Sequence, residues 1–143
     1  MKRLSMMVMA MALALVMVSG AAFAATFVGN NGPNRLVGTA ENDTLRGLGG
    51  ADKLFGKGDN DRLFGGRGAD RLVGGADGDR LVGGPGNDVI RARDGERDRI
   101  NCGTGRDRVF ADADNEDLIS GGCEIVRRAA GGENETEHGP NHD

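Results

Sequence analysis

Aspartate recurs at every ninth position through the middle of the chain, and an aliphatic residue stands two positions after each one. The pairs are Asp43 with Leu45, Asp52 with Leu54, Asp61 with Leu63, Asp70 with Leu72, Asp79 with Leu81, and Asp88 with Ile90. One period earlier the register holds with Asn34 and Leu36. A period shared by a carboxylate and an aliphatic side chain indicates a repeated structural unit rather than a compositional bias.

Each nine-residue unit has two parts with different conformational preferences. The first six residues are rich in Gly, which adopts the positive-φ conformations that tight loops need. The last three, such as residues 71–73, form a short β-competent segment whose side chains alternate between two faces. One unit cannot bury its aliphatic side chain, but a stack of units can. We therefore predict an all-β fold, a parallel β-roll whose two sheets form a right-handed solenoid with two nine-residue units in each turn.

An 18-residue turn places alternate aspartates above one another along two edges. One edge carries Asp52, Asp70 and Asp88, and the other carries Asp43, Asp61 and Asp79. Successive turns of a β-structure lie roughly 4.7–4.9 Å apart, and unit charges about 4 Å apart repel by about 1 kcal/mol even in water. A hard divalent cation between the loops would reverse this repulsion. Ca²⁺ accepts six to eight oxygens in a flexible geometry, whereas Mg²⁺ demands a tighter octahedron and should fit poorly.

The array resembles the repeats-in-toxin, or hemolysin-type calcium-binding, family, whose unit reads G-G-x-G-x-D-x-U-x. Residues 65–73 and 83–91 satisfy every position of this unit, and residues 74–82 depart from it at Asp77, where the third Gly belongs. The resemblance is close over residues 29–91 and looser over residues 92–126. It implies a parallel β-roll in which calcium is held between loops of the same edge by the repeat aspartates and by loop carbonyls.

The resemblance also implies a specific set of calcium ligands. These are Asp43, Asp52, Asp61, Asp70, Asp79 and Asp88. Pairing 43 with 61, 52 with 70, 61 with 79, and 70 with 88 gives about four calcium sites. Asn34 keeps an oxygen but lacks the charge, so a site that it shares with Asp52 should be weaker. Ten-residue spacings interrupt the period beyond residue 91 and should disturb the register, which weakens the case for sites at Asp98 and Asp107.

The N-terminal residues have the order of a secretory signal peptide. Lys2 and Arg3 precede an apolar run over residues 4–18 and a small-residue site at 22–24. We expect cleavage after Ala24, secretion to the extracellular space, and no membrane-spanning segment afterwards; an uncleaved membrane anchor is the alternative. Removal of residues 1–24 leaves 16 basic and 22 acidic groups, a net charge of −6. This balance favours cations as partners and argues against nucleic acid.

The C-terminal third keeps the aliphatic residues of the units but loses most of their Gly pairs. We predict that residues 92–128 form degenerate units that cap the regular roll of residues 25–91. Cys102 and Cys123 are an even number of cysteines in an exported chain, so one disulfide is expected. A loop of about 20 residues would be stabilised by roughly 3 kcal/mol through such a bond. Residues 129–143 are acidic, lack an apolar period, and are predicted to be a disordered tail.

No catalytic constellation is visible in the sequence. Ser120 is the only Ser after residue 24 and has no His at a plausible position. Residues 112–116 have the spacing of an EF-hand loop, but the turn Gly and the bidentate Glu of that motif are replaced. The leading interpretation is a secreted, non-enzymatic calcium-binding β-roll that is disordered without calcium and folds at extracellular calcium levels.

The alternative interpretation is a cell-surface or matrix interaction protein that uses the calcium-stabilised roll as a scaffold. Basic residues follow the aspartates and should form rows on the outer faces that could contact acidic glycans: Lys53, Arg62, Arg71 and Arg80. Apolar residues should form outward rows suited to self-association: Val37, Phe55 and Val73 on one sheet, and Phe64 and Val82 on the other. Solubility and β-propensity explain the same rows without a partner.

Overall fold

The computed structural model describes residues 23–113 and 117–129. The predicted signal peptide and acidic tail therefore lie outside the described residues, apart from positions 23, 24 and 129. The described residues contain twelve strands and no helix, and so none that is long and apolar enough to span a membrane. The strands are β1 Thr26–Val28, β2 Arg35–Val37, β3 Thr44–Gly49, β4 Lys53–Lys57, β5 Arg62–Arg67, β6 Arg71–Gly75, β7 Arg80–Pro85, β8 Val89–Ala92, β9 Arg99–Thr104, β10 Arg108–Asp112, β11 Leu118–Ser120 and β12 Ile125–Ala129.

The strands form two six-stranded parallel sheets. One sheet has the order β1-β3-β5-β7-β9-β11, and the other has the order β2-β4-β6-β8-β10-β12. Each strand pairs with the strand two positions later in the chain, so one turn contributes one strand to each sheet. Leu45 aligns with Leu63, and Leu63 aligns with Leu81, so each regular turn comprises two nine-residue units. The predicted all-β, parallel two-sheet solenoid is confirmed, with about five turns.

The aliphatic residue of each unit points between the two sheets and forms the core. These side chains are fully buried: Leu45, Leu54, Leu63, Leu72, Leu81, Ile90, Ile100 and Val109. Burying one such side chain is worth about 1.5–3 kcal/mol relative to leaving it exposed. Each unit adds only one large apolar side chain, so the core is a thin column that depends on stacking from turn to turn.

The ten-residue units beyond residue 91 continue the same solenoid. Leu81 aligns with Ile100 and Ile90 aligns with Val109, so these turns are longer than the regular turns by a single residue. The extra residue is taken up in the turn that follows β8, and the strands keep their register. The expectation that the ten-residue spacings disturb the register is wrong, because hydrogen bonds between strands fix the pairing while a turn can lengthen without changing it.

The predicted disulfide closes the C-terminal end of the roll. Cys102 lies in β9, where it is fully buried, and Cys123 lies between β11 and β12. The two residues are bonded with a Cα–Cα distance of 5.2 Å, within the usual range for a disulfide. The bond spans 21 residues and links the fifth turn to the final strands.

Candidate metal centre

Each repeat aspartate stands directly before a strand, as the last residue of the turn that connects the two sheets. Asp43, Asp61 and Asp79 precede strands of one sheet, and Asp52, Asp70 and Asp88 precede strands of the other. The predicted division into two edges is therefore present. All six side chains are buried, with at most 2% of their surface exposed, an unusual environment for a carboxylate unless it is paired or bound to a metal.

One oxygen of each carboxylate joins its turn to the turn before it. On one edge the backbone N–H of Asp52 donates to Oδ1 of Asp70 (2.8 Å), and that of Asp70 donates to Oδ1 of Asp88 (2.8 Å). On the other edge Asp43 donates in the same way to Asp61 (2.7 Å), and Asp61 donates to Asp79 (2.8 Å). Hydrogen bonds to an ionised acceptor are stronger than neutral ones, so these two carboxylate ladders bind the stack together along its edges.

The second oxygen, Oδ2, is buried without a hydrogen-bond partner at most positions of the ladders. This holds for Asp52, Asp61, Asp70, Asp79 and Asp88. Burial, assisted by the neighbouring carboxylates, raises the pKa of Asp61 to about 6 and that of Asp79 and Asp88 to about 7. An unpaired buried oxygen of this kind costs about 1–3 kcal/mol or more, so the ladders need a positive charge beside Oδ2.

Asp43 differs from the other ladder residues. Its Oδ2 accepts hydrogen bonds from the backbone N–H (2.5 Å) and the hydroxyl (2.9 Å) of Thr39. This carboxylate is satisfied within its own loop, so it has less to gain from a cation than Asp61 has.

The first glycine of each regular unit lies directly against the unpaired oxygen of that unit. A Cβ on Gly65 would stand 2.5 Å from Oδ2 of Asp70 and 2.6 Å from the carbonyl oxygen of Gly83 in the next turn. A methyl group cannot fit at these distances, and equivalent oxygens surround Gly47 and Gly56. The first loop position therefore requires Gly, and it brings a carboxylate oxygen and a main-chain carbonyl together.

The donor set is composed of hard oxygen ligands. Within the described residues, no three His, Cys, Asp or Glu side chains converge on one point. A cation on an edge would therefore be held by one carboxylate from each of two turns, with carbonyls of the glycine-rich loops and water completing the shell. Such a mixed oxygen shell suits Ca²⁺, whereas zinc sites use nitrogen and sulfur ligands in a closed tetrahedron.

The ladders extend further in both directions than the six predicted aspartates. Asn34 donates its backbone N–H to Oδ1 of Asp52 (2.7 Å), so the hydrogen-bond pattern of the ladder begins at this residue. At the other end the N–H of Asp79 donates to Asp98 (2.7 Å), and that of Asp88 donates to Asp107 (2.8 Å). Both Asp98 and Asp107 also have an unpaired buried Oδ2, and burial raises the pKa of Asp98 to about 8.

Sequence reasoning undervalued Asp98 and Asp107 because it counted residues between aspartates. The unchanged two-residue offset to Ile100 and Val109 was the signal that the strand register persists. Whether these two carboxylates bind calcium stays a prediction, but they share the burial and the unpaired Oδ2 of the regular set.

The two edges carry different residues at the fourth loop position. On the edge of Asp70 this position is Gly with positive φ: Gly50 (90°), Gly68 (119°) and Gly86 (140°). On the edge of Asp61 it is acidic: Glu41, Asp59 and Asp77, the last two at φ 63° and 71°. Asp59 and Asp77 add to the raised pKa of Asp61 and Asp79 respectively. This second acidic row, which sequence reasoning missed, makes one edge more negative than the other.

The outer faces carry the predicted rows of basic and apolar residues. Lys53 aligns with Arg71, and Arg62 aligns with Arg80, all of them exposed. Beside them the half-buried Phe55 is covered by the guanidinium of Arg35, which lies 4.5 Å from the ring centroid. The same arrangement joins Arg46 to Phe64 at 5.5 Å. These cation–π contacts cover part of the apolar rows.

Together, the parallel roll and its two ladders of buried carboxylates define a calcium-binding β-solenoid. A family model described as the RTX calcium-binding nonapeptide repeat matches residues 28–63, 55–90 and 94–122. These segments make up more than half of the chain, and the protein belongs to this family. The third segment contains the ten-residue units. Neither the curated proteins nor the solved structures include a significant match to the chain.

Proposed function

We propose that the protein is a secreted, non-catalytic β-roll that orders when it binds Ca²⁺ outside the cell. The observation that carries the proposal is the row of buried aspartates whose Oδ2 atoms have no hydrogen-bond partner among the described residues and lie close to glycine main chain. The pairs 52/70, 61/79 and 70/88 have two such oxygens each. The pair 43/61 has one, because Thr39 engages Asp43, and we expect its site to be the weakest of the four.

Calcium dependence of folding follows from the balance of forces in the roll. The chain contains 26 Gly, and ordering Gly costs more backbone entropy than ordering any other residue. The core is a thin column, and the unpaired carboxylates destabilise the calcium-free fold. A ligand that binds only the folded state, at 100 times its Kd, contributes about 2.7 kcal/mol per site, so several ions together can decide whether the roll forms.

Secretion is supported by the order of residues 1–24 and by the disulfide between Cys102 and Cys123, a bond typical of oxidising compartments. Extracellular calcium modules bind at about 10⁻⁴–10⁻³ M, far above cytosolic calcium levels. The chain would therefore remain unfolded inside the cell, pass through a general secretion channel, and fold on arrival outside.

Circular dichroism of residues 25–143 tests this proposal directly. We expect a disordered spectrum in chelator and a cooperative change to β-structure as calcium rises, with no such change when Mg²⁺ replaces Ca²⁺. The proposal is wrong if the spectrum stays unchanged from chelator to about 10 mM calcium, well above the affinity range of extracellular modules.

A second candidate function is the binding of acidic glycans on the outer faces of the roll. It is favoured by the row Arg62, Arg80 and Arg99, which the parallel register stacks on one sheet. We expect calcium-dependent retention on a polyuronate column that falls when Arg62 and Arg80 are both changed to Gln. Changing Arg67, at the end of β5, and the loop residue Arg106 to Gln removes the same charge elsewhere and should leave retention intact. Equal retention of the two double variants would argue against glycan binding by the face that carries Arg62 and Arg80.

A further inference from the structure

Asp112 is a buried carboxylate that the nonapeptide pattern does not account for. It ends β10 and has only 2% of its surface exposed. Ala111 pairs with Ala92, and Arg91 pairs with Val73, so Asp112 occupies the position that Gly75 holds two turns earlier. It is therefore not a member of either carboxylate ladder.

The hydrogen bonds of Asp112 direct its carboxylate toward the neighbouring turn. Its Oδ2 accepts the backbone N–H of Gly95 (2.9 Å) and that of Asp94 (3.3 Å). Its Oδ1 is buried and has no hydrogen-bond partner. Arg128 approaches from the adjacent strand, but its Nη1 donates to the main-chain carbonyl of Asp112 (3.1 Å) rather than to Oδ1. One charged oxygen is thus left unsatisfied between two turns.

A second unpaired oxygen lies on the same edge of the roll. Asp98 is fully buried, and its Oδ2 has no partner. The carboxylate of Asp117 bridges the main chains of Asp98 and Asp112. Its Oδ1 accepts the N–H of Asp98 (3.0 Å), and its Oδ2 accepts the N–H of Asp112 (2.9 Å). Asp94 lies at the surface of the neighbouring turn. Partial burial of its carboxyl group raises its pKa, and the nearby carboxylates of Asp112 and Asp117 raise it further.

The ten-residue turn cannot supply a regular nonapeptide site at this place. The first position of these units holds Ala92 and Ala111, whose buried methyl groups stand where the regular units bring Oδ2 and a main-chain carbonyl oxygen close to Gly. Arg93 and Asp112 follow them without the positive φ that Gly66 and Gly84 show at the second position. Asp112 therefore places a carboxylate where Gly66, Gly75 and Gly84 have only backbone.

We propose that Asp98 and Asp112 form an additional divalent-cation site, built on the ten-residue turns and outside the nonapeptide pattern. The site takes Ca²⁺, with two buried carboxylate oxygens as its anchors and main-chain oxygens and water completing the shell. It cross-links the turn of residues 93–98 to the end of β10 at Asp112, and so stabilises the C-terminal end of the roll. It deepens the proposed function, on which it rests.

Calcium content, measured by native mass spectrometry of residues 25–143, tests the site in the variant Asp112→Asn. Asn keeps an acceptor for the N–H of Gly95, so the turn is retained while the charge is lost. We expect one ion fewer than in the wild type. The matched control is Glu96→Gln, which removes one charge from an exposed side chain of the same turn and should keep the full calcium content.

Amide NMR gives a second measurement for the case in which Asp112→Asn folds poorly. At calcium concentrations at which the regular turns are already folded, the N–H signals of Asp94 and Gly95 should continue to shift with calcium in the wild type and stay constant in Asp112→Asn. Equal calcium content and equal amide shifts in the wild type and in Asp112→Asn would overturn the site alone. A wild type that binds no calcium would instead overturn the proposed function.

Discussion

The substitution Asp88→Asn should stabilise the calcium-free roll and weaken the calcium-bound roll. Asn preserves the oxygen that accepts the N–H of Asp70 (2.8 Å) and replaces the unpaired Oδ2 by an amide nitrogen. That nitrogen would lie beside the carbonyl oxygen of Cys102, which faces the same space near Gly83. The same change therefore has opposite consequences in the two states of the protein.

The stability that Asp88→Asn adds to the calcium-free roll can be estimated from the pKa of Asp88. Burial first, and the carboxylates of Asp70 and Asp107 second, raise it from 3.8 to about 7, which corresponds to about 4 kcal/mol against the charged form. Neighbouring groups relax and the new amide also needs solvation, so we expect a net gain of about 1–3 kcal/mol at pH 8. In calcium, Asp88 is a ligand of the proposed 70/88 site. Loss of one charged ligand should weaken that site by about tenfold, or about 1.4 kcal/mol.

Two titrations followed by circular dichroism separate these effects. In chelator, trimethylamine N-oxide drives compaction, and Asp88→Asn should fold at a lower concentration of it than the wild type. In the calcium titration its midpoint should be higher. Glu124→Gln is the matched control, because Glu124 is an exposed carboxylate outside both ladders. If Asp88→Asn needs more osmolyte than the wild type, or keeps the wild-type calcium midpoint, the account of the ladders is wrong.

Three further predictions follow from the structure. Gly65→Ala should raise the calcium midpoint and lower the free energy of unfolding by about 1–3 kcal/mol. Gly58→Ala is the control: its Cβ would have no neighbour closer than 3.9 Å, so it should be neutral or slightly stabilising. Equal effects of the two variants in calcium titrations would contradict the role of the first glycine of the unit. In chelator, the β-structure content of the roll should fall as pH rises from about 4 to 8, because the folded state keeps protons on carboxyls such as Asp98 (pKa about 8) that the unfolded state has lost. Circular dichroism that shows more β-structure at pH 8 than at pH 4 would contradict this prediction. Replacing Cys102 and Cys123 by Ser should lower the free energy of unfolding by about 3 kcal/mol, measured by denaturant titration with calcium present. An unchanged denaturation midpoint would contradict this prediction.

The sequence alone determined the repeating part of this protein. Because every regular unit has nine residues, position in the chain maps directly onto position in the roll. The sheets, the two-unit turn, the division of Asp61 and Asp70 between two edges, and the column of core leucines could all be read from the period. The disulfide followed from the cysteine count, since only one pair was possible.

The tertiary structure decided what depends on contacts between turns. The sequence did not show that Thr39 occupies the second oxygen of Asp43, or that this oxygen stays unpaired in Asp88. Nor did it show that the ladders continue through Asp98, because a longer turn changes the count of residues without changing the hydrogen bonds between strands. The burial of Asp112 came from the same cause. Its place is set by the neighbouring turn, which is distant along the chain, and no local pattern in the sequence records that contact.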